Sequence, residues 1–393
     1  MNVQKCKRLG EVLEESVAKG EIAGGNLCVM YQGKEVYYAE AGYADIAEKK
    51  KIDRDSLFRL YSMTKPVTCV AVMKLVEEGK LDLLDPVSKY IPEFANMTVA
   101  SKNGDVKADR ELTITDCLSM TTGLTYEGDA NGAQRDVTAL YTELEKRLYT
   151  DNPMTTVEFA KGLGHCRLAF QPGETFLYGT SADLLGAIVE IVSKMSFGEY
   201  LKKEIFEPLG MKDTAFSVPA EKRDRLTTVY EQTAEGLQPF HGNRLGICNH
   251  MDAKQITFES GGAGLVSTIE DYKKFTQMLM QKGSLNGKEI LSPRTVTFMT
   301  TGKLLPQQQE GMAGWDNLKG FSYHYLMRVL QEPSLAVFNA SKGEYGWDGW
   351  LGPYFSNMPQ DDVTFLMMIQ KTNAGTFTLT RKLRNVLAAA LEN

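Results

Sequence analysis

The spacing of apolar residues predicts strands at both ends of the chain. Apolar runs at 24–31 and 34–39 flank Gln32 and Gly33, and this pattern predicts a β-hairpin. A helix to Leu391 is predicted at the other end. Before that helix, apolar runs predict four more strands, over 323–329, 335–339, 352–355 and 363–370. Because strands lie at both chain ends, we expect the two ends to build one antiparallel sheet.

The middle of the chain has the spacing of helices. Residues 67–76 are apolar on most sides, which predicts a buried helix rather than an amphipathic surface helix. Further helices are predicted to begin near Thr115 and to run across 181–193. A capping box at 267–270 predicts another helix, which would end at about Lys282.

These elements predict an α/β chain of the α+β type with two domains. The ends, 1–60 and 221–393, would form a sheet flanked by helices. Residues 61–220 would form an inserted, mainly helical domain, and the active site would lie between the two domains.

Composition narrows the class of protein and of partner. The chain has 393 residues, of which 43% are hydrophobic and 24% are charged, as in an ordinary globular protein. A formal net charge of −6 leaves no basic surface for nucleic acid or anionic membranes. Neither a signal peptide nor a membrane-spanning run is visible, so we expect a cytoplasmic protein.

The cysteines and histidines predict no disulfide framework, no metal site and no cofactor. The six cysteines form no C-x-x-C pair, so we expect reduced thiols, and the four histidines share no spacing with each other or with an acid. A Ser-His-Asp triad is therefore not expected. These residues are Cys6, Cys28, Cys69, Cys117, Cys166 and Cys248, and His165, His241, His250 and His324.

The strongest chemical signal is Ser62-Met63-Thr64-Lys65 at the start of the buried helix. A serine hydroxyl is a weak nucleophile and needs a group that accepts its proton. Residues three apart share a helix face, so Lys65 can reach Ser62, and burial would lower the pKa of Lys65 and make it a base. The Ser62 amide, at a helix amino terminus, is a candidate donor to the oxyanion.

The four-residue spacing is weak by itself, because it occurs twice. Ser16-Val17-Ala18-Lys19 has the same spacing in a charged helix whose apolar positions form one stripe. We interpret that copy as part of the surface.

Five segments in order resemble the landmarks of the β-lactamase-related serine hydrolases. Within that superfamily they are most similar to the class C β-lactamase and family VIII carboxylesterase branch. The resemblance implies a fold like that of β-lactamases and penicillin-binding proteins, with an acyl-enzyme on Ser62. The segments are 57–65, 112–124, 172–178, 261–268 and 290–293.

The second motif of that branch, Tyr-x-Asn, is matched by Tyr178-Gly179-Thr180. The resemblance implies that Tyr178, as a tyrosinate beside Lys65, takes the serine proton and returns it to the leaving group. Thr180 replaces the asparagine, which favours an esterase over a β-lactamase. The next residue, Ser181, is a candidate for substrate binding.

The third motif, Lys-Thr-Gly, is replaced by an aromatic variant. Residues 371–373, Lys-Thr-Asn, follow a predicted strand and are interpreted as a loop, whereas Trp347-Asp348-Gly349 is similar to the Trp-x-Gly variant of the esterases. The resemblance implies that Gly349 lets the backbone approach the substrate and that the Trp350 amide is the second oxyanion donor. Trp347 would replace a carboxylate-binding cation with an aromatic wall.

We therefore predict a serine hydrolase that acts on a small ester or amide, most simply a carboxylesterase for short acyl esters. One alternative is a D-Ala-D-Ala-type peptidase or β-lactamase, which a cation such as Arg328 or Lys342 at the carboxylate subsite would support. Another is a non-hydrolysing binder of β-lactams or peptidoglycan fragments. The oligomeric state stays open.

Overall fold

The computed structural model describes residues 1–247 and 256–391. Its largest sheet is antiparallel and has eight strands. The strand order is β4-β5-β6-β7-β8-β1-β2-β3, so strands from the two chain ends pair directly, with Gly25 opposite Ile369. The predicted antiparallel sheet from both ends is confirmed. Its strands are β1 Gly24–Tyr31, β2 Lys34–Asp45, β3 Lys50–Lys51, β4 Phe321–His324, β5 Met327–Leu330, β6 Tyr345–Asp348, β7 Tyr354–Met358 and β8 Val363–Ile369.

Helices cover both faces of the sheet. Apolar side chains of α1 and α12 pack on one face, against β1 and β8, and α9 contacts β8 from the other. The helices are α1 Val3–Ala18, α2 Thr64–Glu77, α3 Ile114–Ser119, α4 Gly132–Arg147, α5 Thr156–Leu163, α6 Ser181–Ser193, α7 Phe197–Leu201, α8 Glu207–Leu209, α9 Ile269–Met280, α10 Pro293–Thr301, α11 Pro306–Gln309 and α12 Thr378–Ala390.

Four short antiparallel pairs lie outside the large sheet. One of them, Phe58–Arg59 with Val266–Ser267, directly precedes the predicted nucleophile. The other pairs are Thr98–Val99 with Val106–Lys107, Tyr230–Thr233 with Gly236–Pro239, and Ser284–Leu285 with Lys288–Glu289.

The buried helix predicted after Ser62 is present as α2. Every residue from Thr64 to Met73 is buried, so this part of the helix has no solvent-exposed face. One hydrophobic cluster includes side chains of α2, of α9 and of the sheet, for example Tyr272 against Phe355, whose ring centroids lie 5.6 Å apart. The division of the chain at residues 60 and 220 stays a prediction.

Two strand predictions and one cap prediction are wrong. The strand predicted over 323–329 is the hairpin β4–β5, because Tyr325 and Leu326 adopt positive φ angles of 48° and 58° and turn the chain. The strand predicted over 335–339 does not form, since Pro333 opens a 3-10 turn there. The N-cap of α9 is Thr268, whose hydroxyl accepts from the Asp271 amide at 3.1 Å.

Within the described ranges, every helix is too short or too polar to span a bilayer. The five cysteines that lie in those ranges are buried and unpaired thiols. Two residues of the sequence predictions, Cys248 and His250, lie outside the described residues.

Candidate active site

A strained residue holds Ser62 at the start of α2. The short strand Phe58–Arg59 leads into a 3-10 turn, Tyr61–Met63, and α2 follows at once. Tyr61 is buried and has a φ of 46°, a left-handed conformation that costs about 1 kcal/mol for a residue with a side chain. Because the turn is tight, Ser62 stays half-buried and lines a pocket instead of joining the core.

Lys65 is the buried centre of the site. Its side chain is 0% exposed, and Nζ donates to three oxygens: Ser62 Oγ at 3.2 Å, Tyr126 Oη at 2.9 Å and the Gly262 carbonyl at 2.8 Å. Burial lowers the pKa of Lys65 to about 7, although Asp183 and Asp348 oppose the shift. Near neutral pH a large fraction of Lys65 is therefore uncharged and able to accept a proton.

The Gly262 carbonyl is itself held in place by a buried carboxylate. Asp183, on α6, accepts from the Gly262 amide at 3.0 Å and from the Ser260 hydroxyl. A Cβ on Gly261 would lie 2.3 Å from the Ala182 carbonyl, so only glycine lets this backbone pack against α6. Buried hydrogen bonds and close packing thus link α6, the two glycines and Lys65.

Tyr178 joins the same group but differs from the predicted tyrosinate. Its ring centroid lies 4.6 Å from Lys65 Nζ, and its hydroxyl accepts from Trp347 Nε1 at 2.9 Å. Burial raises the pKa of Tyr178, and the hydrogen bonds from Ser62 and Trp347 only partly oppose this shift. The phenol therefore stays protonated at neutral pH, because the apolar surroundings disfavour the phenolate.

Tyr126 is a site residue that the sequence did not reveal. Its hydroxyl binds Lys65, and its ring meets that of Tyr178 edge-on with centroids 5.8 Å apart. Burial raises the pKa of Tyr126 too, so two neutral phenols flank one lysine. Tyr126 has no helical spacing to Ser62 or Lys65, and only its place soon after the landmark at 112–124 could have suggested it.

The pocket in front of Ser62 has an aromatic wall and a volume of about 350 Å³. Trp315 and Trp347 stack with centroids 6.1 Å apart, and Tyr178 meets Trp315 at 5.4 Å. A larger cavity of about 620 Å³ is lined by other residues and does not reach Ser62. The pocket residues are Tyr61, Ser62, Tyr126, Tyr178, Arg244, Leu245, Trp315, Asn317, Leu318, Trp347, Asp348, Gly349, Trp350, Asn373 and Gly375.

Gly349 and Trp350 lie beside the segment that carries Ser62. A Cβ on Gly349 would be 2.2 Å from the Leu60 carbonyl, so glycine allows the turn after β6 to approach the segment that carries Ser62. The Trp350 ring lies 5.2 Å from that of Tyr61. Neither the Ser62 amide nor the Trp350 amide donates to a backbone carbonyl among the described residues, so both are available to a bound oxyanion.

Three candidates lie outside the pocket. Ser181 is buried on the inner side of α6, and its hydroxyl shares a 2.9 Å hydrogen bond with Thr122. Arg328 is buried and donates to the Phe355 carbonyl at 2.9 Å. Lys342 lines a different cavity. None of the three can contact a substrate at Ser62.

Two further pocket residues come from segments that the sequence left without a role. Asn373, from the predicted loop at 371–373, accepts from Trp350 Nε1 at 2.8 Å. Arg244 places its guanidinium 4.7 Å from the centroid of the Trp350 ring. In the described part of the chain, no group of three or more His, Cys, Asp or Glu side chains could hold a metal ion.

The chain is similar to known proteins along most of its length. The family model for β-lactamases matches residues 9–390. A protein of Mycobacterium tuberculosis without an assigned function is 30% identical over 376 residues, which cover 91% of this chain and 88% of that protein. Esterase EstB of Burkholderia gladioli is 26% identical over 88% of this chain and 85% of the esterase.

A solved structure has the same fold over the whole length. EstCE1, described as a hydrolase with promiscuous acyltransferase activity, superimposes with a TM-score of 0.82 at 24% identity and covers 98% of this chain and 99% of its own. Relatives from Salmonella carry D-alanyl-D-alanine carboxypeptidase in their names. The chain therefore belongs to the β-lactamase family and is a serine hydrolase.

Proposed function

We propose that the protein is a carboxylesterase that forms an acyl-enzyme on Ser62. The observation that carries this proposal is the 3.2 Å contact between Ser62 Oγ and Lys65 Nζ, with the pKa of Lys65 lowered by burial to about 7. A serine beside an uncharged lysine has a proton acceptor at neutral pH. Both groups face an aromatic pocket that suits an apolar acyl or alcohol group.

In acylation, Ser62 Oγ bonds to the ester carbonyl carbon, and its proton passes to Lys65 Nζ. The carbonyl oxygen becomes an oxyanion, which the amides of Ser62 and Trp350 stabilise. When the tetrahedral intermediate collapses, the bond to the leaving alkoxide breaks. Tyr178 donates its phenolic proton to the alkoxide and regains one from Lys65, because its raised pKa keeps it a proton donor.

In deacylation, water takes the place of the alcohol. Lys65 accepts the water proton through Tyr178, the hydroxide oxygen bonds to the acyl carbon, and Ser62 leaves with a proton. The carboxylic acid is released, and the enzyme returns to its first state. The same steps with an alcohol instead of water would transfer the acyl group.

The aromatic wall favours esters over β-lactams. Trp347 occupies the strand position at which a carboxylate-binding lysine would stand in a lactamase, and it donates to Tyr178 rather than to a ligand. The similarity to esterase EstB supports the same choice. A D-Ala-D-Ala-type peptidase is the second candidate, and Arg244 in the pocket favours it because such a substrate carries a carboxylate.

Intact-mass spectrometry tests the proposal. A short nitrophenyl ester mixed with the protein should add one acyl group to the chain and lose it again as turnover proceeds. Ser62→Ala should form no adduct and hydrolyse the ester at least about 10,000-fold more slowly. The matched variant Ser16→Ala should form the adduct and hydrolyse the ester at the rate of the original protein.

Three results would contradict the proposal. Full hydrolysis by Ser62→Ala would show that Ser62 is not the nucleophile. A permanent adduct without turnover would make the protein a binder rather than an esterase, and turnover of D-Ala-D-Ala amides alone would make it a peptidase.

A further inference from the structure

We propose that Arg244 binds a carboxylate on the substrate, so that the preferred substrate is an anionic ester rather than a neutral one. This inference rests on the proposed esterase function and names its substrate class. The starting observation is that Arg244 is the one lysine or arginine among the described residues that line the pocket of Ser62.

Arg244 is held in the pocket by contacts with Tyr61 and Trp350, which lie beside Ser62. Its carbonyl accepts from the Tyr61 hydroxyl at 3.2 Å, which links it to the residue that precedes Ser62. Its guanidinium lies over Trp350, the residue whose amide is the proposed second oxyanion donor. Phe240 packs edge-on against the same ring, with centroids 5.6 Å apart. A ligand on Arg244 would therefore be close to the reacting carbonyl.

The guanidinium has an aromatic partner but no ion-pair partner in residues 1–247 and 256–391. A ring under the flat face of an arginine leaves the N–H groups at its edge available, and their fork matches the two oxygens of a carboxylate. Glu127 lies close enough for its charge to interact with that of Arg244, and Asp348 lines the same pocket. Burial raises the pKa of Glu127, although the charge of Arg244 opposes this shift, and Asp348 accepts from Thr376.

The pocket thus has two unlike sides. Trp315, Trp347 and Leu318 form an apolar side, and Arg244, with the exposed amide of Asn373 beside it, forms a polar and cationic side. A neutral short-chain ester uses only the first side. An ester that also carries a carboxylate uses both, and its charge is paired where water is partly excluded.

Matched pairs of esters test the inference. The first pair places the charge on the acyl side: the 4-nitrophenyl monoester of adipic acid against 4-nitrophenyl hexanoate. The second pair places it on the leaving group: 3-acetoxybenzoate against 3-acetoxytoluene. For each pair the readout is the ratio of kcat/KM for the anionic ester to kcat/KM for the neutral ester.

The original protein should prefer the anionic ester in at least one pair. Arg244→Met should lower that ratio about 10- to 100-fold, the value of a hydrogen bond to a charged group. Arg244→Lys, which keeps the charge but loses the fork, should lower it less. Lys342→Met makes the same change of net charge at another cavity and should leave the ratio unchanged.

An unchanged ratio in Arg244→Met, in both pairs, would overturn the inference, and so would an equal fall in Lys342→Met. These results differ from a failure of the proposed function, which Ser62→Ala reveals on the neutral esters alone. If turnover is too slow to measure, fluorophosphonate labelling of Ser62 gives the same answer. Adipate should slow labelling of the original protein, and equal slowing in Arg244→Met would overturn the inference.

Discussion

The chain contains the Ser-x-x-Lys spacing twice, and only one copy has the environment of an active site. Lys65 is fully buried among three oxygen acceptors. The side chain of Lys19 is 58% exposed and pairs with Glu15 at 3.8 Å. The same spacing therefore places a serine and a lysine on one helix face, but burial decides whether the lysine becomes a base.

The two copies also lie at opposite ends of their helices. Lys19 is the C-cap of α1, where the helix dipole stabilises a positive charge. Lys65 is in the first turn of α2, where the dipole disfavours one. Ser16 departs from the surface role expected for its copy, because it is 2% exposed and donates to Glu21. It is a structural hydroxyl.

Replacing each lysine should separate the two copies most strongly. Lys65→Met removes the proton acceptor and should lower kcat for a short nitrophenyl ester about 100- to 10,000-fold. Lys19→Met, on the surface, should change kcat by less than about twofold. Steady-state kinetics measure both, with thermal melts to show that the variants are folded. Equal losses would mean that burial of Lys65 is not what distinguishes the copies.

The pH dependence should show the same difference on a smaller scale. Burial lowers the pKa of Lys65 to about 7, so its uncharged form grows as the pH rises through that value. The kcat/KM of the original protein should therefore increase about 50-fold between about pH 5 and about pH 7. The residual activity of Lys65→Met should lack this rise of kcat/KM with pH, the acidic limb of the profile. An acidic limb centred near the ordinary pKa of lysine, above about pH 10, would contradict the assignment.

The smallest expected effect concerns Tyr126, which contacts only the buried copy. Its hydroxyl accepts from Lys65 at 2.9 Å and so favours the protonated lysine. Tyr126→Phe should lower kcat about tenfold and move the acidic limb to lower pH. The control is Tyr37→Phe, which removes a hydroxyl that donates to the Lys7 carbonyl of α1 at 3.3 Å. A limb that stays in place in Tyr126→Phe would exclude a direct effect on Lys65.

Much of the fold followed from local patterns. The helix predicted across 181–193 coincides with α6, and the hairpin predicted at 24–39 is β1 with the first half of β2. The failures lie where a turn interrupts an apolar run. Positive φ angles are typical of glycine and asparagine, and neither Tyr325 nor Leu326 is one of these, so the sequence does not predict the turn there. The sequence of β6 indicates a family motif but does not predict a strand.

The site was predictable to a different degree for each residue. Ser62 and Lys65 come together because three residues of helix bring them together. Ser181 follows Thr180 in sequence, yet α6 turns its side chain into the core. Arg244 and Asn373 reach the pocket from loops, where no periodicity specifies direction.

The sequence by itself determined the Ser62 and Lys65 pair at the start of a buried helix, the family landmarks and a sheet built from both chain ends. These follow from helix and strand geometry, which acts over a few residues. Only the tertiary structure decided that Lys65 is enclosed, that Tyr178 packs against it and that Arg244 lines the pocket of Ser62. Those properties depend on groups far apart in the chain: Tyr126 and Gly262 lie 61 and 197 residues from Lys65. Desolvation and pairing of charge are set by what packs around a group, and no local spacing encodes that.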